Sequence, residues 1–277
     1  MTYFDRLRTS SVARDSLLCI GLDPDQNLIS GGLREAVDFC RRLIDATADI
    51  ACCYKPNAAF WEQYGPHGWE GLLTVRESVP PDVPVLLDCK RADVPNTMAA
   101  YAAAVFDAMQ FDAATVHAYH GVDSVSVFTR YRNRGVYVVC HTSNPGRDDL
   151  QHLLCDEDAL FMAVADVAVR SANGGNVGVV MGATAPTEAA AVRARFSTLP
   201  FLLPGIGRQG GDVDKIVRAS YTGDPTSCLI AVAGAIMYAD DCRGTAISWR
   251  DRIRRACGGD GPGREHDRLG RPAQGVK

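Results

Sequence analysis

Eight short apolar runs, separated by segments with helical spacing, constrain the fold of this chain more than any other feature. The runs are 17–23, 50–55, 83–88, 113–117, 135–140, 176–181, 201–204 and 228–233. Nearly continuous apolar runs of this length are typical of parallel strands that are buried on both faces. The segments between them, such as 32–46 and 96–109, carry apolar and charged residues at helical spacing. This alternation admits a doubly wound sheet or a closed barrel, and the count of eight favours an α/β fold of the (β/α)8 TIM barrel type.

The length of 277 residues suits either one such barrel or two small domains. No linker divides the chain, and no internal repeat is visible beyond the alternation itself. We therefore expect a single catalytic domain over residues 1–257. The stretch 258–277 is rich in glycine and charge and has almost no apolar residue, so it cannot bury itself. We expect this stretch to be a disordered C-terminal tail.

Composition indicates a soluble globular protein that acts on a small molecule. Hydrophobic residues make up 47% of the chain and charged residues 22%. The net charge of -4 argues against a nucleic-acid surface, because proteins that follow phosphate backbones are usually basic. Residues 1–8 lack a signal-peptide pattern, and no apolar run approaches the roughly 18 residues of a membrane helix. These observations predict a cytoplasmic protein without a membrane partner.

The ten cysteines include no C-x-x-C pair, and Cys52 and Cys53 are adjacent. Adjacent cysteines are poorly arranged for a zinc site or a disulfide bridge. We therefore interpret the cysteines as small core residues.

Charged residues stand at the ends of the first three apolar runs. Asp23, Lys55 and Asp88 end these runs, and Lys90 and Asp93 follow closely. In a barrel the carboxyl ends of the strands carry the chemistry. Alternate residues leaving a strand point the same way, so Asp88 and Lys90 are expected to face one pocket. Carboxylates beside an ammonium group keep it charged and repel an approaching anion.

A structural explanation of two of these residues also exists. Asp88 and Asp93 could cap a helix that starts near Pro95. However, charges end three separate strands, and burying such ions without a function costs of the order of several kcal/mol each. This cost favours a functional pocket.

A glycine-rich loop, 204–212, follows the seventh run. Glycine lets backbone amides approach closely and cradle a phosphate, and barrels commonly bind phosphate after strands seven and eight. The loop also matches the dinucleotide pattern G-x-G-x-x-G, but no acidic residue ends the next strand about 20 residues on. A phosphate-binding loop is therefore favoured over a dinucleotide site, and a flexible turn is the alternative.

The pattern Asp88-x-Lys90-x-x-Asp93, followed by Thr97, resembles the hallmark of orotidine 5'-phosphate decarboxylases. The pattern alone would also suit related sugar-phosphate decarboxylases and synthases of the same superfamily. Further segments resemble the bacterial long-chain (type 2) branch of the decarboxylases, and the resemblance spans residues 1 to about 240. These segments are 19–24, 54–62, 142–146, 182–184 and 204–212.

The resemblance implies a metal-free and cofactor-free lyase of pyrimidine biosynthesis that converts orotidine 5'-monophosphate to UMP. It implies that Lys90 donates a proton to C6 of the pyrimidine while Asp88 lies against the substrate carboxylate. Asp23 and Lys55 would hold the ribose hydroxyls, and Lys55 would also orient Asp88.

The resemblance also assigns the remaining contacts of the nucleotide. Ser143 would read the pyrimidine edge, and Gln209 together with glycine amides such as that of Gly210 would hold the phosphate. Asp93 and Thr97 would reach into the site of the neighbouring subunit, which implies a homodimer.

Two departures from the family pattern concern binding. Gly234 stands where the family has an arginine that grips the phosphate, and losing such a contact costs about one to two decades in affinity or rate. Arg208 either replaces this guanidinium in part or faces solvent. His117 and His120 stand where relatives more often have Asn and Pro, and they are too few to predict a metal site.

Three hypotheses remain open at this point. The chain is a decarboxylase that binds phosphate through a different residue, a paralogue that acts on a different nucleoside or nucleotide, or a weakly active nucleotide-binding protein. The intact Lys90 counts against the third hypothesis, because a protein that only binds needs no proton donor.

Overall fold

The computed structural model describes residues 1–207 and 210–258, and within them eight parallel strands form one sheet. Each strand overlaps one of the eight predicted runs, so the prediction of eight strands is confirmed. The strands are β1 (Leu18–Gly21), β2 (Cys53–Lys55), β3 (Leu86–Arg91), β4 (Ala113–His117), β5 (Gly135–His141), β6 (Val177–Met181), β7 (Phe201–Leu203) and β8 (Cys228–Val232).

The order of the strands makes the sheet a barrel. In the sheet β2 pairs with β1, β1 with β8, and the order continues β7, β6, β5, β4 and β3. Single parallel bridges, Tyr54 to Val85 and Asn57 to Asp88, connect the two outer strands β2 and β3. The predicted (β/α)8 TIM barrel is confirmed, because the bridges bring the two ends of the sheet together.

Helices follow the strands on the outside of the barrel and precede the first strand. They are α1 (Tyr3–Arg14), α2 (Gly32–Thr47), α3 (Ala59–Glu62), α4 (Pro66–Ser78), α5 (Pro95–Ala102), α6 (Val122–Thr129), α7 (Leu160–Ser171), α8 (Pro186–Arg195), α9 (Val213–Ser220), α10 (Gly234–Met237) and α11 (Cys242–Ala256). Among the described residues, no helix combines the length and the apolarity that crossing a membrane requires.

Alternation along the strands divides the core into two parts. Leu18 and Ile20 of β1 face outward into the large core between strands and helices, while Cys19 faces inward. The inner cluster contains at least one residue from every strand and also Tyr3 and Leu7 of α1. Helix α1 therefore closes the amino-terminal end of the barrel, and the carboxyl-terminal end stays open for a site.

All ten cysteines are free, and seven of them are buried. The interpretation as small core residues is confirmed for these seven. It is wrong for Cys155, which is exposed, while Cys242 and Cys257 are half-buried.

Two elements between the strands were not predicted. Helix α5 passes into a π-helical segment, Ala103–Ala108, and a small antiparallel hairpin pairs Leu154–Cys155 with Asp158–Ala159. The hairpin has two residues in each strand, which is too short to give a periodic signal. The predicted C-terminal tail lies, apart from Gly258, outside the described residues.

Candidate active site

A pocket of about 460 Å³ lies at the carboxyl ends of the strands, where barrel enzymes carry their sites. Six of the residues predicted from the sequence line it: Asp23, Lys55, Asp88, Lys90, Ser143 and Gly234. These residues come from β1, β2, β3, β5 and β8 or the segments that follow them. The fold therefore gathers side chains that are up to about 200 positions apart in the chain, since parallel strands end at the same edge.

Asp88 is the centre of the charged cluster in this pocket. One of its oxygens, Oδ1, accepts hydrogen bonds from Lys90 Nζ at 2.7 Å and from Thr115 Oγ1 at 2.7 Å. The other oxygen, Oδ2, accepts from Lys55 Nζ at 3.2 Å. Both oxygens are thus engaged by protein donors, and two of the three donors are cationic.

The neighbours of Asp88 decide its protonation state. Burial alone would raise the pKa of Asp88, but the ammonium groups of Lys55 and Lys90 outweigh burial and lower it well below its usual range. Burial likewise opposes the charged form of Lys55, yet the carboxylates of Asp88 and Asp23 raise its pKa above its ordinary value. The buried pair therefore stays ionised at neutral pH.

Asp23 lies on the β1 side of the same cluster. Its Oδ1 accepts a hydrogen bond from the backbone amide of Asn57 at 2.8 Å, and its carbonyl accepts one from the Tyr238 hydroxyl at 3.0 Å. Burial raises the pKa of Asp23, while Lys55 opposes this shift. These contacts fix the segment after β1 against the segments after β2 and β8.

The backbone at the end of β3 turns Lys90 into the pocket. Lys90 has a φ of +46°, in the left-handed region that a residue with a side chain rarely adopts. The pairing of β3 with β4 shifts register between Leu87 and Arg91. The Lys90 amide donates to Thr115 Oγ1 at 2.9 Å, which helps to offset a strain of about 1–3 kcal/mol.

Thr115 was not among the residues predicted for the site. It is buried in β4 and contacts both the Asp88 carboxylate and the Lys90 amide. A signal was present in the sequence, because Thr115 is a polar residue inside the apolar run 113–117. The structure places it two positions after Ala113, which faces the barrel interior. A polar residue on the inward face near a strand end could have been selected on that basis.

The segment after β5 forms another wall of the pocket. Thr142, Ser143 and Asn144 line the pocket. Gln151 holds this segment: its Oε1 accepts from the Thr142 amide at 2.8 Å, and its Nε2 donates to Thr142 Oγ1 at 2.8 Å. Ser143 is therefore presented to the pocket by a segment that is tied to the following loop.

The end of the pocket formed by the segments after β7 and β8 has the features of an anion site but little positive charge. Gly205 and Ile206 of the glycine-rich loop line it, and Gly205 has a φ of +101°, which only glycine adopts readily. Gly234, which begins α10, lines it as well. Within the described part of the lining, the cationic residues are Lys55 and Lys90, and both pair with Asp88.

Two residues predicted for phosphate binding, Arg208 and Gln209, lie outside the described residues, and Gly210 is not part of the lining.

Asp93 and Thr97 are not brought into the pocket of their own chain. Asp93 Oδ1 accepts from the Val94 amide at 2.7 Å, and its carbonyl accepts from the Ser124 hydroxyl at 2.5 Å. Helix α5 begins at Pro95 with Val94 as its N-cap, and no side chain caps it by a hydrogen bond. Helix capping therefore explains neither Asp88 nor Asp93.

The two histidines after β4 differ from each other. His117, the last residue of β4, is half-buried, and its pKa is lowered by burial and by the charge of Lys90. His120 is exposed. Neither lines the pocket, and neither belongs to a group of potential metal ligands in the described part of the chain.

Sequence comparison shows that most of this chain is similar to proteins of one known family. Residues 16–247 match the model of the family described as "Orotidine 5'-phosphate decarboxylase / HUMPS family". The chain is 44% identical over 262 residues to the orotidine 5'-phosphate decarboxylase of Thermomicrobium roseum, and the match covers 92% of this chain and 93% of that protein.

Solved structures give the same result. The Leishmania donovani OMP decarboxylase is 40% identical with a TM-score of 0.86, and the match covers 93% of this chain and all (100%) of that chain. The Leishmania donovani UMP synthase is 42% identical with a TM-score of 0.88, and the match covers 93% of this chain but only 57% of that longer chain. Sequence, fold and the geometry of the pocket thus agree, and the chain belongs to the orotidine 5'-phosphate decarboxylase / HUMPS family.

Proposed function

We propose that this protein decarboxylates orotidine 5'-monophosphate to UMP without a metal or an organic cofactor. The observation that carries the proposal is the ionised Asp88 carboxylate held between Lys55 and Lys90 at the carboxyl end of the barrel. Relatives that are 40–44% identical over most of the chain are named orotidine 5'-phosphate decarboxylases, which supports the same activity.

The role of Asp88 is electrostatic. Its depressed pKa keeps it negative, so the carboxylate of a bound substrate meets a like charge in the ground state. This repulsion disappears when the C6–carboxylate bond breaks and neutral carbon dioxide leaves. An interaction that is less unfavourable in the transition state than in the ground state accelerates the reaction.

Lys90 supplies the positive charge and the proton. Its Nζ lies 2.7 Å from Asp88 Oδ1 and lines the pocket, so an ammonium group stands where negative charge develops at C6. As carbon dioxide leaves, the bonding electron pair stays on C6, and the Lys90 ammonium donates its proton to that carbon. Lys90 then recovers a proton from solvent, which its partly exposed side chain allows.

The remaining walls of the pocket suit the rest of the nucleotide. Asp23 and Lys55 stand beside the reacting centre and offer an acceptor and donors to the ribose hydroxyls. Ser143 lines the pocket on the segment held by Gln151, where it would bind the edge of the pyrimidine. The glycine-rich loop offers backbone amides to the phosphate.

The experiment that tests the proposal follows the loss of orotidine 5'-monophosphate absorbance with purified protein. Orotidine without phosphate is measured in parallel, and Lys90→Ala and Lys215→Ala are the paired variants. Lys215 is an exposed residue of α9 outside the pocket, so its variant controls for the loss of one lysine. We expect rapid loss of the phosphorylated substrate with the wild type and Lys215→Ala, and almost none with Lys90→Ala.

Other outcomes separate the alternatives. Lys90-dependent consumption of orotidine but not of its phosphate would indicate a paralogue with another substrate. A folded protein that consumes neither compound would overturn the proposal.

We also infer that this chain binds the substrate phosphate with a cationic residue other than the arginine expected at position 234. The type 2 segments named above support membership of the long-chain bacterial branch, in which an arginine is expected where this chain has Gly234. The described lining of the pocket has no cation at that end, so a cationic contact to the phosphate would come from a residue outside that lining. Arg208 adjoins Gln209 in the glycine-rich loop and is the candidate that the sequence offers.

A homodimer with shared sites completes the proposal. Asp93 and Thr97 do not line the pocket of their own chain, although they belong to the motif that contains Asp88 and Lys90. Val94 and Tyr119, on the segments after β3 and β4, are 51% and 94% exposed, which suits a surface that a second copy covers. We propose that residues 1–257 act as one catalytic domain within this dimer.

A further inference from the structure

Three side chains that could bind a metal ion converge beside the segment after β5. His141 is the last residue of β5, His152 follows a short 3-10 turn in the next loop, and Glu188 lies in the first turn of α8. Their ligand atoms all lie within 4.8 Å of one another. The three residues belong to separate elements, so no spacing in the sequence indicates them as metal ligands.

Two of the three distances among these atoms are close to those around a tetrahedral ion. Nε2 of His141 lies 3.1 Å from Nε2 of His152, and Nε2 of His152 lies 3.5 Å from Oε1 of Glu188. Zinc bonds to imidazole and carboxylate of about 2.0–2.2 Å place two tetrahedral ligands about 3.3–3.6 Å apart. The third pair, His141 and Glu188, lies within 4.8 Å, so an ion can occupy the cluster after these two side chains move closer together.

The surroundings of His152 resemble those of a metal-binding histidine. Its second ring nitrogen, Nδ1, lies 3.2 Å from Oδ1 of Asp148. A carboxylate at that position holds the proton on Nδ1 and directs the lone pair of Nε2 toward the cluster. Glu188 and Asp148 contribute two negative charges, and the nearby Arg147 contributes one positive charge that is partly engaged by Thr184 Oγ1 at 2.6 Å. The net charge favours a divalent cation.

His141 adds an observation that the rest of the fold does not explain. Its side chain is fully buried, and its Nδ1 has no hydrogen-bond partner among the described residues. In the described residues, the one hydrogen bond of this buried ring runs from Nε2 to another imidazole. Nε2 is therefore the atom that an ion in the cluster would bind, and Nδ1 would then carry the ring proton.

We propose that His141, His152 and Glu188 form a site for one divalent transition-metal ion of the zinc class. The half-exposed side of His152 leaves room for water as a fourth ligand. The ion would join the end of β5, the loop after it and the start of α8, and so would fix the segment that carries Ser143. The site is distinct from the reacting centre, because neither histidine lines the pocket. The alternative is a metal-free hydrogen bond between the two imidazole rings.

The test uses the full chain after removal of metals with a chelator. Zinc binding is measured by calorimetry, cobalt binding by visible absorption, and thermal unfolding is followed with and without zinc. The variants are His152→Ala, Glu188→Gln and Asp148→Asn. All three side chains are partly exposed, so we expect the fold to tolerate these changes. The matched control is His67→Ala, which removes another histidine next to a carboxylate, Glu70, outside the cluster.

We expect one zinc ion per wild-type chain and a zinc-dependent rise in the midpoint of thermal unfolding. Asp148→Asn should weaken binding about 10- to 100-fold, and the two ligand variants should weaken it at least as much, while His67→Ala changes nothing. Equal zinc affinity in the wild type and the ligand variants would overturn the proposal. The proposal would also fail if zinc did not bind stoichiometrically. It would fail as well if the cobalt spectrum showed thiolate charge-transfer bands that Cys155→Ser abolishes, because the ion would then be bound by that cysteine.

Discussion

At the scale of single residues, Asp88 takes hydrogen bonds from three side chains, and Thr115 is the uncharged one among them. The same hydroxyl accepts the amide of Lys90, so it links the carboxylate and the backbone that presents the proposed proton donor. Thr115 acts through its neighbours, and we regard it as a positioning residue.

Replacing Thr115 with valine removes the hydroxyl and keeps the shape of the side chain. The hydrogen bond to an ionised carboxylate is lost, and the Lys90 amide loses its partner, each at about 1–3 kcal/mol. We expect kcat for orotidine 5'-monophosphate to fall about 10- to 100-fold with a smaller change in KM. Thr115→Ser, which restores the hydroxyl, should recover most of the activity. A well-folded valine variant with unchanged kcat would show that the hydroxyl does not position the pair.

Arg208 is the second test at this scale. If it holds the substrate phosphate, Arg208→Ala should lower kcat/KM for orotidine 5'-monophosphate about 10- to 100-fold, because a charge-assisted contact contributes about 1.5–3 kcal/mol. The slow reaction of orotidine, which has no phosphate, should not change. Arg218→Ala, at an exposed position of α9, removes the same charge and serves as the control. Full activity of Arg208→Ala would mean that another group holds the phosphate.

At the scale of elements, the contact between α1 and β5 seals the end of the barrel that faces away from the site. Gly135 begins β5, and a Cβ atom there would lie 2.3 Å from Cδ1 of Tyr3. Tyr3 is fully buried in the inner cluster of the barrel. The close approach of α1 to the strand therefore requires glycine at this position.

The variant Gly135→Ala should destabilise the protein without changing its chemistry. Overpacking of a tight core costs about 1–3 kcal/mol, and we expect the midpoint of urea unfolding to fall accordingly. The active site lies at the other end of the barrel, so kcat at 25 °C should stay close to the wild-type value. In a Tyr3→Ala background the added methyl group should cost much less, which a double-mutant cycle measures. Additive effects of the two changes would contradict this account of the contact.

At the scale of the whole molecule, the proposed homodimer makes a quantitative prediction. Lys90→Ala and Asp93→Ala should each inactivate their own homodimers. If Asp93 serves the site of the other subunit, a mixed dimer has one intact site and one doubly altered site. Mixing the two variants after reversible dissociation should therefore restore about a quarter of wild-type activity, since about half of the dimers are mixed. If Asp93 serves its own chain, the mixture should stay inactive.

The order of the elements was predictable from the sequence, because it depends on local patterns. All eight strands coincide with apolar runs, and the start of α5 at Pro95 agrees with the prediction. Strand ends were less accurate: β3 extends to Arg91, past the predicted end at Asp88, because pairing with β4 continues after a shift in register. The two-residue hairpin was missed because such short strands have no period.

The charged residues of the site were also predictable, but their connections were not. Asp23, Lys55, Asp88 and Lys90 follow from charges at strand ends, and the structure places all four in the pocket. The hydrogen bonds of Thr115 depend on the register between β3 and β4, which no local pattern specifies. The exposure of Cys155 has a similar origin, since it depends on where a short hairpin lies on the surface.

The sequence by itself determined the number and order of the strands, their alternation with helical segments, and the identity of the charges that end the strands. The period of apolar residues and the residue types along the chain are local properties. Only the tertiary structure decided which of these charges touch, why Asp88 stays ionised, and that His141, His152 and Glu188 meet. Closing the barrel brings together residues from distant parts of the chain, and both the distances and the burial that set their electrostatics exist only after that closure.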